Sequence, residues 1–157
     1  MTQSVSSSID IAAPPEKVWA LISDLPRMGE WSPENKGGSW KGGATGAVAG
    51  AKFKGKNQHG KKKWSIGTVV IKEAAAPNRL EFGLVTMGLK GATWRYEIDP
   101  TSDGCRVTET WVDTRSAPMR PDAIGKMITG VADRVAWTKT SIETTLANLK
   151  KAAESSA

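Results

Sequence analysis

Val5-Ser-Ser-Ser-Ile-Asp-Ile-Ala-Ala-Pro-Pro-Glu-Lys-Val-Trp-Ala-Leu-Ile-Ser-Asp-Leu-Pro-Arg-Met-Gly-Glu-Trp-Ser-Pro33 changes its hydrophobic period halfway along. Up to Ile11 the chain alternates, with Val5, Ser7, Ile9 and Ile11 on one face and serines and Asp10 on the other, the pattern of a half-buried strand. Pro14 and Pro15 stop that strand. Proline is tolerated in the first turn of a helix, where its missing N–H would have no partner, so a short helix is predicted to start here. Val18, Ile22 and Leu25 give it an apolar stripe, Pro26 closes it, and a second short helical turn is predicted over Arg27 to Trp31, before Pro33.

Outward from this opening the chain turns to strands. Lys36 to Gly60 holds eight glycines, so only short strands are predicted there, at Ser39 to Lys41 and Ala51 to Lys56. Trp64 to Ile71 and Arg79 to Thr86 read as longer strands on their Val, Ile, Thr and aromatic content. Ala92 to Asp99 and Cys105 to Thr114 flank Pro-Thr-Ser-Asp-Gly, predicted as a five-residue hairpin loop pairing Asp99 with Cys105. That register places Arg95 opposite Glu109, and it groups Trp94, Tyr96 and Ile98 on one face with Thr108, Thr110 and Val112. After Pro118 and Pro121, apolar residues recur at spacings of three and four from Ile124 to Leu149, predicting one long amphipathic helix. Gly125 and Gly130 inside it each cost about 1 kcal/mol relative to alanine, so they call for a reason such as close approach of the sheet or a ligand. Strands segregated from helices imply an α+β fold: a curved antiparallel sheet of about six to seven strands, two short helices after strand one, and a long C-terminal helix.

Composition narrows the function. A chain of 157 residues fits a single domain, 1–157. Its apolar and charged fractions are those of a soluble globular protein, no stretch approaches the roughly 20 apolar residues of a bilayer span, and Met1 to Ser8 lacks the charged and apolar regions of a secretory signal. A cytoplasmic location is the expectation. One cysteine, Cys105, and one histidine, His59, leave little for a metal centre, so no metal and no cofactor is predicted. Cys105 reads as a small buried hydrophobe and His59, in a hairpin tip, as a solvated loop residue. Between Glu34 and Glu73 there is no acid but nine lysines, so residues 36–72 are a possible contact for an anionic partner. Nucleic acid fits poorly, because the lysines are interleaved with glycines rather than stacking aromatics. The chain is expected to be a monomer or homodimer.

Ile9 to Asp24 with Arg27-Met-Gly-Glu-Trp-Ser-Pro33, Thr93 to Pro100, Arg106 to Trp111 and the closing Thr144 to Glu154 resemble the SRPBCC superfamily, also called START-like or helix-grip, and within it the polyketide cyclase/dehydrase and lipid-transport group. The resemblance implies a sheet gripping the last helix around an apolar ligand. Its motifs identify a fold rather than a reaction, since members bind lipids, sterols, polyketides or hormones, catalyse cyclisation or dehydration, or act as co-chaperones.

Pocket walls follow from the expected geometry: Trp64, Ile66, Phe82, Leu84, Trp94, Tyr96 and Thr110 on the sheet, and Ile128, Val131, Val135 and Ile142 on the helix. Each is also an ordinary core residue. Arg95 with Glu109 has two readings. As the polar end of the pocket the pair would fix a ligand carbonyl; as a cross-strand pair on the wet convex face it would contribute at most about 1 kcal/mol, and period 2 favours that face, opposite Trp94 and Tyr96. The leading expectation is a non-catalytic binding or carrier protein for a hydrophobic small molecule, since no acid, base and nucleophile converge. The rival is a polyketide cyclase or dehydratase using Tyr96, Arg95 and Glu109, and a third reading is a co-chaperone-like interaction module.

Overall fold

The computed structural model describes residues 3–115 and 123–155. Strand β1 (Ser4–Ile11) buries Val5 and Ile11 and exposes Ser4, Ser6 and Ser8, as its alternation requires. Helix α1 (Pro15–Ile22) starts on Pro14 and buries Val18 and Ile22. A 3₁₀ turn follows over Leu25–Glu30, with Pro26 in its first positions rather than simply ending α1. Then come β2 (Asn35–Lys41), β3 (Lys52–His59), β4 (Lys62–Trp64), β5 (Thr68–Ala75), β6 (Arg79–Thr86), β7 (Leu89–Thr101) and β8 (Gly104–Asp113), and finally α2 (Ala123–Thr129) and α3 (Arg134–Glu154).

All strand pairs are antiparallel, in the order β1-β8-β7-β6-β5-β3-β2, with β4 added beside β3. This is the helix-grip α+β fold: a curved sheet whose first strand lies next to its last, with α3 packed across β1 and β8. Seven strands form the continuous path, within the expected six to seven, and the three-residue β4 pairs with β3 off that path. The glycine-rich segment forms longer strands than expected, and the predicted strand Trp64 to Ile71 is cut in two. Gly67, at φ +73°, turns the chain between β4 and β5, and a Cβ there would meet Thr86 Oγ1 and Val85 O.

The β7/β8 register differs by one residue from the expected one. Asp99 pairs with Arg106 and Pro100 with Cys105, leaving a two-residue turn, Ser102-Asp103. Pro100 belongs to the ladder because of where its nitrogen points. Ile98 donates its N–H to Asn78 O on the β6 side, and period 2 directs Pro100 to the same side, past the end of β6, where no partner is lost. Consequently Arg95 faces Thr110, Tyr96 faces Glu109, and Trp94 faces Trp111.

The expected single C-terminal helix is also two. Gly130, at φ +73°, ends α2 with its N–H on Lys126 O, and the Asp133 side chain caps α3 by accepting from Ala136 N at 3.0 Å. Pro118 and Pro121 lie outside the described residues. The far end of α3 is tied down by Glu154, which accepts from Ala12 N at 2.7 Å, and by Asn148, which donates to Trp31 O. No described helix is long and apolar enough to cross a membrane.

Candidate functional site

The inward face of α3 changes character along its length. Leu146, Leu149 and Ala153 are buried large or close-packed residues that fill the space against the sheet. One and two turns earlier the same face carries Thr138, Ser141, Ile142 and Thr145, three of them short hydroxyl side chains that border open space. The result is a cavity of about 770 Å³ between the N-terminal part of α3, α2 and the concave side of the sheet. Phe82, Leu84, Trp94, Tyr96 and Trp111 form its sheet wall. Ile66 and Leu89, both markedly exposed, rim it together with Trp64 and Lys90. Phe82 and Trp94 stack at 5.9 Å with their rings 18° from parallel. The space is within the range of small-molecule pockets, and its walls are mainly apolar with a few polar groups.

The most unusual of those polar groups is Glu109. It is only 5% exposed and sits directly opposite Tyr96 in the ladder, whose hydroxyl is the neighbouring group that acts on its carboxyl. Its Oε2 is buried without a partner. Desolvation outweighs the opposing influence of the Tyr96 hydroxyl and pushes the carboxyl up to about 8, so Glu109 holds its proton at neutral pH. Burial first, then the neighbouring carboxyl, hold the Tyr96 phenol well above its ordinary value. A neutral acid beside a neutral phenol can donate hydrogen bonds or a proton to a ligand oxygen.

Two ion pairs close the ends of the wall. Glu34 accepts from Arg134 Nη1 at 2.8 Å and from Trp137 Nε1 at 2.7 Å, clasping the segment before β2 to the start of α3. Arg115 binds Asp113, whose carboxylate is fully buried, at 2.9 Å. Among the described residues, no three His, Cys, Asp or Glu side chains come together in a metal-binding group.

Of the residues expected to line a pocket, Trp64, Ile66, Phe82, Leu84, Trp94, Tyr96, Ile128 and Ile142 all border the cavity. Thr110 does not. The register shift puts it on the outer face, hydrogen-bonded to Ser6 at 3.0 Å. Val131 and Val135 also stay out of the lining, because the break after Gly130 changes the helical phase: Val131 is buried in the α2/α3 connection and Val135 packs on the main core. Arg95 is on the convex face, but its partners are Glu97 at 3.0 Å and Glu81 at 3.7 Å, not Glu109. His59 is half-buried rather than solvated, with its ring edge-on to Trp137 at 4.7 Å. Cys105 is buried, and burial raises its thiol further from reactivity. In the lysine segment, Lys54 and Lys72 are spent on internal acceptors, Gly67 O and Thr93 Oγ1. Trp111, Thr138, Ser141 and Thr145 were not anticipated as lining; the available signal was hydroxyl residues at inward positions of an otherwise aliphatic helix stripe.

A family model described as polyketide cyclase / dehydrase and lipid transport matches residues 2–154. The solution structure of the Polyketide_cyc-like protein Cgl2372 from Corynebacterium glutamicum is similar at 28% identity and a TM-score of 0.65, covering 97% of this chain and 91% of that one. The di-domain ARO/CYC BexL of the BE-7585A biosynthetic pathway aligns at 15% identity and TM-score 0.69, over 99% of this chain and 51% of BexL. StfQ, the di-domain ARO/CYC of the steffimycin pathway, aligns at 12% identity and TM-score 0.70, over 97% of this chain and 50% of StfQ. These two likenesses are of fold. No curated protein matches the chain in sequence.

Proposed function

The chain belongs to the polyketide cyclase/dehydrase and lipid-transport family, and on that premise we propose that it binds and carries a hydrophobic small molecule, a lipid, acyl chain, isoprenoid or polyketide, between sheet and α3. The observation that carries this reading is the cavity of about 770 Å³, walled by aromatic and aliphatic side chains where α3 presents hydroxyls too short to fill it. A core of this size normally closes such a void, because each unfilled volume forfeits dispersion and transfer energy. Keeping it open is explained by a ligand.

Native mass spectrometry of the protein purified from its own host is the direct test. The wild type is expected to retain a bound hydrophobic mass. Ser141→Trp combined with Ala92→Phe, which put bulk into the cavity from opposite walls, is expected to reduce the bound fraction at least tenfold while leaving a cooperative melt. An unchanged bound mass in the plugged variant would place the ligand elsewhere. No bound mass in the wild type, together with no thermal shift on adding fatty acids or polycyclic phenols, defeats the reading.

Cyclase or dehydratase chemistry in the same cavity is a second reading, and the observation favouring it is the buried Glu109 beside Tyr96, a proton donor at a site that excludes water. It predicts that wild-type protein speeds dehydration of a β-hydroxyketone probe about a hundredfold over Glu109→Gln. Equal rates leave carriage as the sole function.

A further inference from the structure

We propose that Glu109 is the residue with which this cavity selects its ligand, by donating a hydrogen bond to a carbonyl oxygen carried on a flat ring system. The inference rests on the cavity-binding reading above and specifies the chemistry of what is bound. Its starting point is the orphaned oxygen. Glu109 stands opposite Tyr96 in the ladder, and its Oε2 is buried with no partner, in a residue that itself forms part of the cavity wall. Buried polar atoms are nearly always satisfied, and an exception needs an explanation. Oε2 is covered by its neighbours, but the terminal torsion of glutamate is soft, so rotating the carboxyl turns its polar edge to the cavity.

The sign of the interaction follows from what surrounds the group. Tyr96 faces Glu109 from β7, and Ser7 stands opposite it on β1. The charged residues of the wall are Glu34, Lys90, Arg115 and Arg134; Arg134 is bound to Glu34 and Arg115 to Asp113. None of these enters among the groups that perturb Glu109, so burial dominates and the carboxyl keeps its proton. A protonated carboxyl matches an acceptor, whereas an ammonium ligand would require it ionised. The shape follows from the neighbours: Trp94 and Phe82 stack nearly parallel, and Trp111 lies directly across the ladder from Trp94, so the acid is set among flat aromatic surfaces. A planar ketone satisfies both features.

Equilibrium dialysis of the full-length protein against fluorenone, fluorene and 9-aminofluorene tests this with the ring system held constant. At pH 6.5 the wild type is expected to bind fluorenone about tenfold more tightly than fluorene, since the hydrocarbon leaves the buried donor unmet. Glu109→Gln, which retains an N–H donor, is expected to keep the preference. Glu109→Leu is expected to lose it while binding fluorene at least as well, which also shows that this variant is folded. Raising the pH to 9.5 should erode the wild-type preference and leave that of Glu109→Gln unchanged. Equal binding of fluorenone and fluorene by the wild type, persistence of the preference in Glu109→Leu, or tightest binding of the amine each overturns the assignment while leaving the cavity reading intact. Failure of all three probes to bind overturns the assignment, and the cavity reading falls with it only where the wild type also carries no bound mass and shows no thermal shift with fatty acids.

Discussion

Between pH 5.5 and pH 8.5 the wild-type protein is expected to lose about 3 kcal/mol of unfolding free energy that its Glu109→Gln variant does not lose. The folded protein holds the Glu109 proton up to about pH 8, against an ordinary carboxyl value of 4.5 in the unfolded chain. Throughout the interval between those values the native state binds the extra proton, so stability falls as pH rises, full below 4.5 and diminished once the pH passes 8. This direction is opposite to that of a salt-bridged surface carboxylate such as Glu30, whose proton is weakened by its hydrogen bond to Arg27. Glutamine is nearly isosteric, carries no proton to lose and can still accept from Tyr96. All other titrating groups are common to both proteins and cancel in the difference. Urea unfolding followed by tryptophan fluorescence at intervals of half a pH unit measures it. Parallel stability profiles for the two proteins would mean that Glu109 titrates normally and is not desolvated.

That expectation depends on a register that the sequence did not disclose. Much of what local pattern sets was legible: the alternation of Val5 to Ile11, the helix entry at Pro14-Pro15, the apolar stripe through Val18 and Ile22, and the segregation of strands from helices all appear in the structure. What was hidden required knowledge of neighbours. Pro100 reads as a strand terminator, yet it pairs with Cys105 because its nitrogen points beyond the end of β6, and only the position of β6 reveals that. The one-residue consequence moves Glu109 from the convex side to the cavity and Thr110 from the cavity to the convex side, where it is buried against Ser6. Sequence reasoning also treats a glutamate as a surface residue, since acids are rarely fully buried. The helix break was masked by its own periodicity. Val131 and Val135 continue the three-and-four spacing across Gly130, so the pattern is uninterrupted although the backbone turns at φ +73°. The cavity wall was more legible than its polar groups, because aromatic residues on alternate strand positions declare a face whichever ligand they meet.

The register has a physical pin, and removing it gives the second large effect. Gly104 opens β8 at φ +154°, directly against the end of β1. A Cβ at this position would run into Ile11 O and lie 2.8 Å from Ala13 N and 3.0 Å from Ala13 O, all of them backbone atoms that cannot rotate aside. Gly104→Ala is therefore expected to destabilise the protein by about 3 kcal/mol or more, through a conformation alanine rarely adopts and a clash that must push β1 off β8. Gly46→Ala is the matched control: no atom lies within 4 Å of its Cβ position and its φ is not positive, so it is expected to stay within about 1 kcal/mol of wild type. Urea midpoints of the two variants measured side by side decide the matter. Should Gly104→Ala be as stable as Gly46→Ala, the β7/β8 hairpin tolerates displacement at its tip, and the pairing of Tyr96 with Glu109 on the cavity side is held by the strands' apolar faces rather than by the turn.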